Sequence, residues 1–503
     1  MLPSLLYDNG KPKYPRAMGN SAELRADLGL DALLDAMSGG GGPHAREAAK
    51  GVIFEHPAIT GENILFRQEI LKDALNNADI FTELSDMLES GLAAYEDARK
   101  KSQPGYARFI PVSELLRSAA ELMNIVFTLA GKARKCLESK KLNAASAGLS
   151  NYARAYGAFY SEDFVSAALR ESGDIGHMSE KSCLTLGAKL GNGFKGTSYV
   201  VREIGHAQKA GRTARNGQTA IPLDSVAMQL KAMELRDAAL SRILSIINAV
   251  ISQTAEDLKS LSYEMNFYAG CIRLYREMAR IGVPVCFPVI SAGADTLDFE
   301  GLTDIALALA HGTPPVANSL NMDGARLTVV TGANQGGKST FLRSVGGAQL
   351  MAQRGMFVAA ERFRFSVRPR IFTHFCRRED ASMESGKLDE ELARLEKIVD
   401  KLEPGAMLLM NESFSSTAER EGAAIAREVT GAFYDLGVKV VFVTHLYEYA
   451  RSLESAGMPG ALLLRAGRLD DGRRTFTVAP GISAPTSYGM DLFEEIFASD
   501  GIA

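Results

Sequence analysis

Residues 332–339 read Gly-Ala-Asn-Gln-Gly-Gly-Lys-Ser, which fits the pattern G-x-x-x-x-G-K-S/T. Few stretches constrain a fold as tightly, because this pattern works only between a buried strand and the start of a helix. Leu327-Thr328-Val329-Val330 before it reads as the strand, and 339–353 after it reads as the helix. Gly332, Gly336 and Gly337 allow a tight turn that aims backbone N–H groups inward at phosphate oxygens. Lys338 can reach the β- and γ-phosphates, and the Ser339 hydroxyl can ligate Mg²⁺. The helix adds the positive end of its dipole. The run Gly332, Ala333, Asn334, Gln335, Gly336, Gly337, Lys338, Ser339 and Thr340 is therefore the candidate nucleotide-binding loop.

The rest of the chain supplies the parts such a loop needs. Met407-Leu408-Leu409-Met410-Asn411-Glu412 is an apolar strand ending in polar residues. The usual ending is Asp-Glu. Here Asn411 stands at the magnesium position, where its amide oxygen can hold a metal-bound water but adds no charge. Glu412 remains as the candidate base for water activation. Val441-Phe442-Val443-Thr444-His445 is another strand with a polar end, and His445 is placed to sense a γ-phosphate. Ser385-Gly386 heads a helix whose apolar stripe is expected at Leu388, Leu392, Leu395, Val399 and Leu402. Ser385 is then either an ordinary helix cap or, through the free N–H groups there, a candidate anion site, which in ATPases that work as face-to-face dimers meets the γ-phosphate bound by the partner subunit.

Periodicity divides the chain. Residues 21–38 read as one helix with a Ser cap, followed by a Gly-rich break at 39–42. Apolar residues at Leu115, Ala119, Leu122, Val126 and Leu129 keep a coiled-coil-like rhythm. The rhythm returns from Leu240 to Met265, in a segment free to stay helical from beyond Pro222 to near Arg280, about 80 Å at helical rise. Between these arms, 174–221 is rich in glycine, with β-like runs at Cys183–Leu190 and Ser198–Ile204. Lys181, Lys189, Lys195, Arg202, Lys209, Arg212 and Arg215 face only Glu203 over 181–216, a net charge of +6. Lys195, Arg202, Lys209, Arg212 and Arg215 are the candidate contacts to a nucleic-acid backbone. The expected organisation is multidomain: an N-terminal helical segment (1–60), a helical lever with coiled-coil arms and a clamp-like tip (61–283), and an α/β ATPase domain (284–503).

Composition adds boundaries. The net charge of −4 over 503 residues gives no global attraction to nucleic acid, so any contact must use a local patch. Five widely spaced cysteines without a CxxC pair argue for reduced thiols and against a zinc site. No apolar run of membrane length and no signal-peptide core is apparent, so a cytoplasmic protein without membrane contact is expected.

With these motifs assembled, the chain resembles the MutS family, the ABC-type ATPases of DNA mismatch repair. Thr331 to Thr340 looks like its TGPNxGGKST, Ile371-Phe372-Thr373 like its IFT, and Thr444-His445 and Ser487-Tyr488-Gly489 like its TH and SYG. Ser385 and Glu390 fall on the Ser and Glu of STFxxE, while the family's Phe is Lys387. Residues 411–422, NESFSSTAEREG, align without gaps on DExGRGTSTxDG and share Glu412, Thr417 and Gly422. Asn63 to Gln68 resembles the segment that opens the lever. The resemblance implies ATP and Mg²⁺ as ligands, a homodimer with two composite sites, and levers that carry a DNA-facing clamp. It leaves no room before residue 60 for the mismatch-reading domain, so structured or branched DNA is the expected target. A different reading is a nucleotide-gated scaffold that grips a protein partner with little hydrolysis, and Asn411 is the feature that favours it.

Overall fold

The computed structural model describes residues 2–8, 20–39, 43–55, 60–102, 110–176, 182–190, 196–206, 226–332, 335–377, 386–469 and 473–482. The chain divides into two compact units. Asp79–Ala144 and Ser150–Met265 form one; Ser4–Ala78, Ala145–Leu149 and the chain from Asn266 onward form the other. These differ from the segments expected at 1–60, 61–283 and 284–503, because residues 4–78 pack with the α/β elements.

The first unit is helical, apart from one hairpin. Val112–Leu137 buries Ala119, Leu122, Val126 and Leu129, as the periodicity predicts, but Leu116 is buried where Leu115 was expected. Backbones approach closely where glycine allows it: a Cβ on Gly91 would sit 2.7 Å from the Leu129 methyls. Tyr152, Tyr156 and Tyr160 stack along Ala147–Phe159 and just beyond it, with Tyr156 and Tyr160 ring centroids 4.9 Å apart. The Tyr160 hydroxyl donates to Asp257 at 2.8 Å, which satisfies the one polar atom this buried ring carries. Strands Ser182–Leu190 and Gly196–His206 pair antiparallel, where the β-like runs were expected. Val226–Ile281 is a single helix of 56 residues, about 84 Å at helical rise. The stretch Met233–Ile281 reaches the length and mean hydropathy of a membrane span, contrary to the expectation that no such run exists. Its buried residues Ile247, Ile251, Ala255, Leu258, Leu261 and Met265 recur every three or four positions, the pattern of an amphipathic helix.

The second unit is built on a six-stranded sheet. Its order is Arg474–Pro480, Ala461–Arg468, Leu327–Thr331, Lys439–Val443, Met407–Asn411 and Ile371–Phe375. All neighbours are parallel except the outermost pair, Ala461–Arg468 with Arg474–Pro480. Leu327–Thr331, Ile371–Phe375 and Lys439–Val443 are buried throughout, which is why Leu327–Val330 and Val438–Val443 read as largely apolar strands. A four-stranded sheet of Val289–Ile290, Arg362–Phe365, Leu297–Leu302 and Asn318–Asn321 accompanies it.

The N-terminal helix expected over 21–38 is two helices, Ser21–Asp27 and Asp31–Ser38. Gly29, at φ 66°, turns the chain between them, and no side chain caps the first. The break lets Leu24, Leu28, Leu30, Leu33 and Leu34 all point inward. Asn20 covers the sheet edge: its amide donates to the Thr373 carbonyl at 2.9 Å and its oxygen accepts from the Thr373 N–H at 3.2 Å. The Arg354 guanidinium, wholly buried, donates to the Ile53 carbonyl at 2.6 Å.

Candidate functional site

The C-terminal ends of three neighbouring parallel strands carry the site, the place where open α/β sheets bind ligands. Leu327–Thr331 runs into the loop at 332–337, and the helix Lys338–Ala352 follows directly. Gly332 has φ 134°, and a Cβ there would meet the Ala466 Cβ at 2.8 Å. Gly337 has φ 88° with Phe476 against its face, so glycine is needed at both positions. Among the described residues of the loop, the third left-handed one is Gln335, at φ 62°, and not Gly336. Arg474 holds the Gln335 side-chain oxygen at 2.8 Å. Ala333 and Asn334 lie outside the described residues.

Lys338 is buried, and its ammonium donates to the Gly332 carbonyl at 2.8 Å. It lies 3.7 Å from the Glu412 carboxylate. Burial pulls its affinity for a proton below the ordinary lysine value, and Glu412 opposes that fall. The Ser339 hydroxyl donates to Asn411 Oδ1 at 2.9 Å, which joins the two expected magnesium positions. Glu412 sits in the left-handed region at φ 56°, and its N–H donates to the Val443 carbonyl at 2.8 Å. His445 Nδ1 lies 2.5 Å from the other Glu412 oxygen. The expected phosphate sensor and the expected base are therefore direct neighbours.

Lys338, Ser339 and Glu412 border a cavity of about 490 Å³, within the size range of small-molecule sites, and Asn411 joins them through its bond to Ser339. Gln335, Gly336, Gly337, Lys338, Ser339, Thr340 and Glu412 line its polar end, and Leu307, Pro315, Val316 and Phe476 its apolar end. A nucleoside triphosphate fits both halves: the loop amides, the buried ammonium and the Ser339–Asn411 pair suit a metal-bound phosphate chain, and the apolar wall suits a base.

Ser385, Lys195, Lys209, Arg212 and Arg215 lie outside the described residues, as does the Arg202 side chain, although its backbone is in Gly196–His206. The helix Lys387–Val399 departs from its expected stripe. Leu392 and Val399 are exposed, and the inward face runs Leu388, Glu391, Leu395, Ile398 and Leu402. Glu390, the residue aligned with the family's Glu, borders a surface cavity, and Glu391 is the buried one. Its carboxylate accepts the Phe414 N–H at 2.7 Å and the Ser416 hydroxyl at 3.0 Å. An acid interrupting a 3-4-3-4 apolar stripe was the available signal for it.

His374 belongs to the same network. Nδ1 lies 2.7 Å from the Ser413 hydroxyl and Nε2 3.2 Å from the Glu391 carbonyl. A carbonyl only accepts, so Nε2 carries the proton and Nδ1 accepts from Ser413. Desolvation, seconded by Arg394 and Arg377, pushes the imidazole pKa down to about 4. His374 is neutral at pH 7.

Comparison with known proteins agrees with this architecture. Residues 328–498 match the model of MutS domain V, and residues 59–281 match that of the MutS2 N-terminal domain. The chain is 32% identical over 210 residues to the DNA mismatch repair protein MutS of Chloroflexus aurantiacus, covering 38% of this chain and 21% of that protein. It is 31% identical over 230 residues to the DNA mismatch repair protein MutS 2 of Halobacterium salinarum, covering 43% and 26%. Over 134 residues it is 37% identical to the MutS of Thermotoga neapolitana, covering 26% and 17%. The matched stretches thus span about a sixth to a quarter of the length of these relatives. With one model of the family matching the α/β region and another the helical region, the chain belongs to the MutS family.

Proposed function

We propose that this protein is an ATPase that couples ATP binding and hydrolysis to a change in its grip on DNA. The observation that carries the reading is the convergence of Lys338, Ser339 and Glu412 on one cavity at the ends of adjacent parallel strands, with Asn411 bonded to Ser339. The loop amides and Lys338 bind the phosphates and take up their charge. Ser339 and Asn411 would hold magnesium, which would supply positive charge to the phosphate chain when bound. Glu412 orients the attacking water and accepts its proton, while His445, 2.5 Å away, holds that carboxylate in place. To reach water, Glu412 must leave Lys338, and a bound phosphate offers Lys338 a stronger partner. Nucleotide entry thereby frees the base.

Ser385, immediately before the helix Lys387–Val399, is proposed to complete the site of a second copy, so that closure of a homodimer depends on nucleotide. The helical unit then serves as the lever. Its basic segment at 174–221, with Lys195, Arg202, Lys209, Arg212 and Arg215, is proposed to meet the phosphate backbone of structured or branched DNA. The names of the relatives, all DNA mismatch repair proteins, support a DNA target.

Two measurements test this. Wild type is expected to release phosphate from ATP, and Glu412→Ala to abolish turnover while retaining nucleotide binding. Equal turnover in both would instead favour a nucleotide-gated scaffold. DNA affinity measured over duplex, mismatched and branched substrates should depend on nucleotide. It should fall when the five basic residues are neutralised. Affinity indifferent to nucleotide and to neutralisation would remove DNA from the reading.

A further inference from the structure

The loop after the candidate base carries two non-glycine residues in the left-handed region, Glu412 at φ 56° and Phe414 at φ 64°. Such conformations are costly and persist only where surrounding groups hold them. Here one side chain ties down two points of the loop. Both Glu391 carboxylate oxygens are used, one by the Phe414 N–H at 2.7 Å and one by the Ser416 hydroxyl at 3.0 Å, and Glu391 is only 2% exposed. Packing alone would favour leucine at this point of the stripe, since a buried carboxylate must overcome its desolvation. The acid is therefore there for the loop it holds and not for the helix that bears it.

The attachment is reinforced from a third element. His374, in Ile371–Phe375, meets the Glu391 carbonyl at 3.2 Å and the Ser413 hydroxyl at 2.7 Å. The same Ser413 hydroxyl oxygen lies 3.0 Å from the His374 carbonyl oxygen. The sheet edge, the helix Lys387–Val399 and the loop that follows Glu412 are thus tied together behind the base.

We propose that Glu391 is a positioning residue for Glu412: by anchoring the Phe414 amide and the Ser416 hydroxyl it holds loop 412–416 in the left-handed path that aims the Glu412 carboxylate into the cavity. The role rests on the ATPase reading, and it transmits any displacement of the helix Lys387–Val399 to the base. Glutamine can replace the carboxylate: its oxygen accepts the Phe414 N–H and its amide donates to Ser416. Alanine can do neither.

The test compares wild type, Glu391→Ala, Glu391→Gln and Ser416→Ala in three measurements: ATP turnover, binding of a fluorescent ATP analogue, and amide hydrogen exchange of a peptide spanning 412–416. Glu391→Ala is expected to lower kcat by about ten- to a hundredfold, the range for a misaimed catalytic group. Its nucleotide Kd should stay within about twofold and exchange over 412–416 should quicken, because the anchor bears on the base and not on the phosphate loop. Glu391→Gln should restore both turnover and protection. Ser416→Ala, which removes one bond and leaves the fold intact, should show the same changes at smaller size. Unchanged exchange in Glu391→Ala overturns the proposal, as does a loss of turnover that Gln fails to restore. If wild type itself has no turnover, the ATPase reading fails. Exchange then reads the anchor alone, and the proposed bearing on catalysis falls with that reading.

Discussion

Replacing Asn411 with Asp tests whether a missing charge limits the metal site. Asn411 Oδ1 accepts from Ser339 at 2.9 Å, and a carboxylate oxygen in the same place would accept the same hydrogen. The substitution therefore keeps the geometry and adds one negative charge. A divalent cation about 4 Å from a unit charge gains about 8 kcal/mol at an effective dielectric of about 20. Most of that is offset by taking a half-buried carboxylate out of water and by repulsion from Glu412 one residue on, which Lys338 at 3.7 Å softens. A net gain of about 1–2 kcal/mol corresponds to a five- to thirtyfold tighter site. The assay is a Mg²⁺ titration of ATP turnover, repeated with fluorescent-nucleotide binding. The Mg²⁺ midpoint should fall by that factor in both. Turnover at sub-saturating magnesium should rise in parallel. An unchanged or higher midpoint would show that charge at residue 411 does not limit the site, and would refute the role given to Asn411.

Three other outcomes are expected. Lys338→Met should weaken ATP binding by a hundredfold or so, about 3 kcal/mol, since a buried ammonium aimed at the phosphates is lost; equilibrium binding checks this. Gly422→Ala should lower the melting temperature through about 1–3 kcal/mol of overpacking, because its Cβ would lie 2.5 Å from the Phe414 carbonyl oxygen, a backbone atom that cannot step aside. Stability should also fall as pH drops from 6.5 to about 4, because over that window the unfolded chain takes up a proton at His374 that the folded chain refuses. Full refusal is worth about 3 kcal/mol. Denaturant titrations of wild type and His374→Gln should converge at the acid end, and parallel curves would dismiss this account.

Legibility from sequence followed the range of the interactions. The loop at 332–339, the strand ending in Asn411-Glu412 and the hairpin Ser182–Leu190 with Gly196–His206 are local patterns, set by turn chemistry and by periods of 2 and 3.6. Errors arose where a local pattern met a distant partner. One helix was expected over 21–38, but packing of Leu24 and Leu28 together with Leu33 and Leu34 requires the turn at Gly29. Apolar character alone puts Leu392 and Val399 on the stripe of helix Lys387–Val399, whereas its inward face includes Glu391 and leaves both exposed. No hydropathy pattern assigns an acid to a core, because hydropathy does not record the Phe414 amide 23 residues away that makes its burial tolerable.

By itself the sequence determined that this chain contains a phosphate-binding loop between strand and helix, an acid-ended strand, and long amphipathic helices. Those follow from residue types at fixed local spacing. Only the tertiary structure decided that Ser339 meets Asn411 across 72 residues, that His445 reaches Glu412 and not a distant site, and that Glu391 and His374 stand behind the base. Strand order in the sheet sets those meetings, and strand order is chosen by the burial of whole faces, a global free energy that no local window contains.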